Sequence, residues 1–329
     1  LKKLSFFIWP VLLLLTFFCP AWADEAEPVA APTPQTVFVG IHLNRIVNLD
    51  LKQNTYSMDF YLWFRWKGDK NPAETYEFLN AFEKWGETTV SESEEPRELG
   101  NGWLHQEFHI ELQFHNPFYF EPYPLDEQVL RISLEDKSFN SKNIRYIPDI
   151  LSTSYNDELF IPGWKVDKQN IWNTTHSYGT NFGQLTKNNE VYSRINYDLH
   201  ISRSPRIMHL FKLFLPVLII LVMVMVIFFI PISFFESRVE ISITGLLSLI
   251  ALQMVLNDTL PPIGYLTLTD KVYYFAYFTV MCALIETVWV YFSFKRDERV
   301  SRQIDRFASI AMMSLTPIIF ALFFTVFRG

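Results

Sequence analysis

Four apolar stretches dominate the second half of the chain, at 207–230, 239–257, 272–294 and 307–327. Each is near the ~20 residues a helix needs to cross a bilayer core. The first is apolar apart from His209 and Lys212 and contains Pro216; the second carries Thr244, Ser248 and Gln253 at intervals. Before residue 207 the pattern becomes short alternating runs. Segments 36–51 and 55–66 flank the polar turn Lys52-Gln53-Asn54. In the second of them Met58, Phe60, Leu62 and Phe64 share one face, and Asp59, Tyr61, Trp63 and Arg65 the other. Segments 103–114, 128–134, 163–167 and 190–201 read likewise. Many short strands with turns between them predict a β-sandwich. Tyr76, Leu79 and Phe82 instead keep helical spacing after Asn71-Pro72, which predicts a short amphipathic helix over 74–85. The expected fold is therefore an all-β extracellular immunoglobulin-like sandwich followed by a four-helix transmembrane bundle.

The termini and loops predict the topology. Lys2 and Lys3, the apolar run 4–18 and Ala21-Trp22-Ala23 read as a secretory signal over 1–23. Export places 24–206 outside as one domain, with the transmembrane domain at 207–329. The second inside loop, 295–306, then carries Lys295, Arg296, Arg299, Arg302 and Arg306, as the positive-inside rule requires.

Composition narrows the function. Half of the 329 residues are hydrophobic, 17% are aromatic and 19% are charged, against roughly 25% charged in soluble proteins. The net charge of −7 is unevenly placed: 24–206 carries 17 basic and 27 acidic residues, and the remainder after it 9 and 8. An acidic exported half disfavours nucleic acid and suits cations as ligands or cargo. Outside the signal the cysteine is Cys282, so no intrachain disulfide, cysteine catalysis or zinc cluster is expected. No Gly-x-Ser-x-Gly, His-Glu-x-x-His or phosphate loop appears, and the chain is not expected to be an enzyme or to hold a cofactor.

The second span carries a pattern of its own. Glu240, Thr244, Leu247, Ala251, Met254 and Asp258 are spaced 4, 3, 4, 3, 4, on one stripe of a helix, and Glu236 extends its inner end. Such a stripe either packs within a helical bundle or lines water. In a ring of copies, Glu236 and Glu240 would concentrate cations at the inner mouth, and Leu247, with Ala251 and Met254, would form an apolar constriction that gates by dewetting.

Several short motifs carry a family resemblance. Tyr123-Pro124-Leu125-Asp126-Glu127-Gln128 precedes the strand Val129-Leu130-Arg131-Ile132. Gly163-Trp164, Ile201-Ser202-Arg203 and Leu260-Pro261 with Tyr265-Leu266-Thr267-Leu268-Thr269-Asp270 follow in order. In this order and spacing the chain resembles a prokaryotic pentameric ligand-gated ion channel subunit of the Cys-loop receptor superfamily, over most of 37–327. The resemblance puts the family's pore-facing positions on the residues the periodicity selects. It implies a homopentamer among membrane lipids in the bacterial inner membrane, with the N-terminal domain periplasmic and inorganic cations as cargo. It also implies an Asp126–Arg203 pair, and gating that couples the Pro124 loop to the Pro261-Pro262 link. The family's Trp-x-Pro stretch is missing between Trp66 and Trp103, so its aromatic box does not carry over whole. Tyr61, Tyr155, Trp172, Tyr178 and Phe182 remain as candidates for binding an unidentified small-molecule agonist by cation–π contact, or as packing residues.

Glu92, Glu94, Glu95 and Glu98 form an acidic loop, either solvated or holding Ca²⁺ as a modulator. His200 and His209 raise pH as another modulator. Glu286, inside the third span, is expected to snorkel or to hydrogen-bond a neighbouring helix. The competing function is a non-conducting periplasmic sensor with four transmembrane helices, which the short 295–306 loop disfavours.

Overall fold

The computed structural model describes residues 33–91, 95–180, 183 and 190–326. The expected signal at 1–23 lies outside them. Two strands open the chain, β1 (Gln35–Asp50) and β2 (Thr55–Trp66), joined by a turn in which Asn54 has φ 56°. A single helical turn, α1 (Pro72–Thr75), is capped by Asn71. Then come β3 (Tyr76–Phe78), β4 (Ala81–Ser91), β5 (Arg97–Gly100), β6 (Trp103–His115), β7 (Glu127–Asp136), β8 (Ile144–Pro148), β9 (Ser154–Tyr155), β10 (Trp164–Ser177) and β11 (Val191–Arg203).

Among the described residues the strands form two sheets. One has seven strands, ordered β4-β6-β2-β1-β8 with β5 on β6 and β9 on β1; the other is ordered β10-β11-β7-β3. The alternation explains the layering. Val37, Val39, Ile41 and Leu43 of β1, Met58 to Phe64 at every second position of β2, and Ile110, Leu112 and Phe114 of β6 are buried. Their counterparts in the other sheet are Leu130, Ile132 and Leu134 of β7 and Ile195, Tyr197, Leu199 and Ile201 of β11. Each such side chain contributes about 1.5–3 kcal/mol on burial, which makes this core the main reason the sheets stack.

The helix expected over 74–85 does not form beyond α1. Tyr76 and Phe78 sit on β3, paired with Asp136 and Leu134 of β7. Their rings pack at two-residue spacing against Phe64 and Phe60, 5.3 and 5.8 Å between centroids. Phe78 also meets Phe114 at 5.6 Å. Aromatic packing across the sandwich outweighs the helical spacing of Tyr76, Leu79 and Phe82. β10 runs ten residues beyond the expected 167, to Ser177.

After Ser204 the chain turns helical: α2 (Arg206–Met225) continues as a 3₁₀ turn over Val226–Phe229, followed by α3 (Phe235–Asn257), α4 (Leu268–Phe294) and α5 (Glu298–Val326). Among the described residues three helices are long and apolar enough to cross a membrane: Arg206–Phe229, Phe235–Asn257 and Leu268–Phe294. The fourth expected span falls in the second half of α5. The loop between α4 and α5 is shorter than the expected 295–306, because α5 already begins at Glu298. Asp297 accepts from the Arg299 amide at 2.8 Å and starts the helix, so most of the basic residues ride on its first turns.

Candidate functional site

The α3 helix has two faces. Arg238, Ser242, Gly245, Leu249 and Leu256 are buried in their own subunit. Gly245 sits where α2 comes closest; a Cβ there would lie 2.5 Å from Val224 Cγ2. Every residue of the opposite stripe is exposed in the single chain: Glu236, Glu240, Thr244, Leu247, Ala251, Met254 and Asp258. Leu247 is 61% and Met254 68% exposed. The stripe is therefore not packed inside its own helical layer.

At the N-terminal end of α3, Arg238 is buried and pairs with Asp305 of α5 at 2.7 Å, while its Nε and Nη2 donate to the Ile230 carbonyl at 2.9 and 2.5 Å. One guanidinium thus closes the α2–α3 turn and pins it to α5, leaving Glu236 and Glu240 to point elsewhere. Both carboxyl oxygens of Glu286 are buried without a hydrogen-bond partner among the described residues. Neither oxygen makes the expected hydrogen bond to a neighbouring helix among the described residues.

The junction between sandwich and helices is built on Arg203 at the end of β11. Its Nε donates to Asp126 at 2.5 Å, and its guanidinium lies over the rings of Tyr123 and Trp164, 4.8 and 4.5 Å from their centroids. Asp126 is fully buried and also accepts from Gln128 at 2.8 Å. Pro124 and Pro261 are buried and Pro262 is exposed. The contacts that cross to α4 come from the residues before Pro124. The Leu268 amide donates to the Glu121 carbonyl at 2.8 Å, Thr269 Oγ1 to the Tyr123 carbonyl at 2.9 Å, and the Phe120 amide to the Tyr265 hydroxyl at 3.0 Å. Lys271 reaches Glu121 at 3.5 Å. Glu121 is held below the usual carboxylate range, first by the Tyr119 hydroxyl and then by Lys271.

A second crossing runs from the β1–β2 turn to the exposed stripe of α3. Lys52 Nζ lies 2.9 Å from Asp258, just past the outer end of α3, and its hydrogen bond keeps that carboxyl below its ordinary value. Inside α3, Gln253 accepts from Tyr277 at 2.5 Å and donates to Asp270 at 3.3 Å. Motif reading missed Lys52, Tyr265, Thr269 and Lys271 as junction residues. Thr267-x-x-Asp270 held the signal, since it forms the capping box that starts α4.

The aromatic candidates fall into separate groups. Tyr61 stacks on His109 at 4.4 Å. Trp172 Nε1 donates to Asp198 at 3.2 Å with Arg131 over its ring, so it belongs to a sheet-face ion pair. Tyr178 donates to the buried Glu135 at 2.8 Å, contacts His176 and Tyr192, and has its hydroxyl pushed up by burial and that carboxylate. Tyr155 packs against the core. No ring contact joins these groups within one chain among the described residues. Phe182, Glu92 and Glu94 lie outside the described residues; Glu95 and Glu98 are exposed.

A sandwich packed through a proline loop on apolar helices, the second with an exposed polar stripe, is similar to a prokaryotic pentameric ligand-gated ion channel subunit. In particular, the chain is 26% identical to a proton-gated ion channel of Gloeobacter violaceus (strain ATCC 29082 / PCC 7421) over 332 residues, covering 94% of this chain and 88% of that protein. No family model matches the chain.

Proposed function

We propose that the chain is one subunit of a homopentameric, cation-selective channel of the bacterial inner membrane, with α3 lining the pore and the sandwich on the periplasmic side. The observation that carries this is the exposed stripe of α3. Seven residues, with carboxylates at both ends and an apolar middle, stay uncovered while the back of the helix is packed. Five copies turn that stripe into rings, with Glu236 and Glu240 selecting cations, Thr244 lining the path, and Leu247, Ala251 and Met254 closing it by dewetting. The Asp126–Arg203 junction and the Lys52–Asp258 contact supply two mechanical routes from the sandwich to α3 and α4. The fourth span is the second half of α5, which completes a four-helix bundle. The outward apolar surface of the helices, Phe211 at 58% and Phe229 at 75% exposure among them, suits hydrocarbon, and a groove of about 310 Å³ between α2 and α5 suits a lipid chain. Calcium at the 92–98 loop and protons remain the proposed modulators.

Cysteine substitution tests the pore face. Cysteines at Thr244, Leu247 and Ala251 should react with a water-soluble thiol reagent applied to the open channel, and those at Ser242, Gly245 and Leu249 should stay protected. The reverse pattern removes the pore assignment.

A further inference from the structure

On the sheet face turned away from the sandwich core, three strands converge on one carboxylate. Asp59 of β2 is 3% exposed. Its Oδ2 accepts from Arg45 Nε at 2.7 Å and from Asn44 Nδ2 at 3.1 Å, both on β1. Its Oδ1 lies 2.5 Å from Nε2 of His109 on β6. A carboxylate oxygen only accepts, so in this contact Nε2 of His109 is the donor. The ring is held flat on Tyr61, 4.4 Å away with the planes 9° apart. Arg45 has a second acid within reach, Glu111 at 3.7 Å.

Among the described residues the neighbouring strands add the following groups. Across β4, the residues opposite Glu111 and His109 are Thr88 and Val90, neither of which titrates. β6 itself adds Glu107. β1 adds His42, beside Tyr61 at 6.3 Å, whose Nδ1 is 2.7 Å from Ser154 Oγ of β9. With His109 neutral, one arginine faces two carboxylates; with His109 charged, two cations face two carboxylates. The His109 side chain is 40% exposed, so protons reach it from solvent.

We propose that His109, Asp59, Arg45 and Glu111 form a proton site that acts on the channel through β1. A proton on His109 gives Asp59 a second cation, and Arg45 transfers its pairing to Glu111. Arg45 is placed to convey that change, because the β1–β2 register breaks on both sides of it, between Leu43 and Arg45 and again between Ile46 and Asn48. The strand beyond leads into the turn whose Lys52 holds Asp258. The effect on gating rests on the channel reading above; the proton-driven change in the turn does not.

The test uses full-length purified protein carrying Cys282→Ala and Gln53→Cys, labelled at the new cysteine with a dye that is itself insensitive to pH. Fluorescence is followed from pH 8 to pH 5, the window of histidine titration. The expected result is a single titration in that window, abolished in His109→Gln and fixed at its acid level in His109→Arg. Glu111→Gln, which removes the second acid, should reduce its amplitude. An unchanged titration in His109→Gln, or a pH-independent signal in the labelled parent, overturns the proposal. Because the dye reports without ion flow, a normal titration in a protein that passes no current would sink the channel reading and leave the proton site standing.

Discussion

Arg203 is 8% exposed, with Nε on Asp126 and its guanidinium over the rings of Tyr123 and Trp164. Removing either member of a buried ion pair strands the other charge, at about 3–5 kcal/mol. Asp126→Ala and Arg203→Ala should therefore lower the melting temperature of the purified protein and reduce surface pentamer or gating. Wild-type melting and currents from both would refute the assignment. Arg203→Lys should rescue little, since a lysine neither stacks between rings nor keeps the guanidinium geometry. At the C-terminal end of α3, Lys52 holds the Asp258 carboxyl below its ordinary value. A depressed carboxyl stays charged above its unfolded value, so this contact persists across pH 5–8 and is lost only as the pH falls through the lowered value. Asp258→Asn is accordingly expected to leave any fluorescence change between pH 8 and pH 5 in place.

At the scale of elements, the close approach of α2 and α3 depends on a missing side chain. Gly245→Ala would drive a Cβ against Val224, a stiff β-branched neighbour, and overpacking of this kind costs roughly 1–3 kcal/mol. Melting curves should show the loss, and Val224→Ala in the same protein should recover most of it; additive losses would count against that contact. The same elements show what the sequence could reveal. The long strands and α2, α3 and α4 were legible because their patterns are strong: period two where one face meets the core, unbroken apolar runs where the surroundings are hydrocarbon. β10 was legible only at its start, since both its faces are largely polar and its pairing with β11 leaves no apolar alternation. The pattern at β3 points to a helix because Tyr76, Leu79 and Phe82 fit helical spacing, and only the position of Phe60, Phe64 and Phe114 across the sandwich decides against it. Arg238 could not be paired from spacing at all, because its partner Asp305 is 67 residues away.

For the whole molecule, the site is unfinished in one chain. Glu236, Glu240, Thr244, Leu247, Ala251 and Met254 of the α3 stripe are exposed in the single chain, and Tyr61 lies on β2 of one sheet whereas Tyr178 lies just past β10 of the other. A closed ring resolves the first point by making the stripe a shared wall. Native mass measurement of the detergent-purified protein should give five copies; a stable monomer or dimer would remove the rings on which selectivity depends.

The most direct measurement is the reversal potential of purified protein in a planar bilayer under a tenfold KCl gradient. Wild type should reverse close to the potassium equilibrium potential, and replacing Glu236 and Glu240 by glutamine should move the reversal toward zero. Reversal near the chloride potential, or no shift on losing both glutamates, would contradict a cation pore lined by α3.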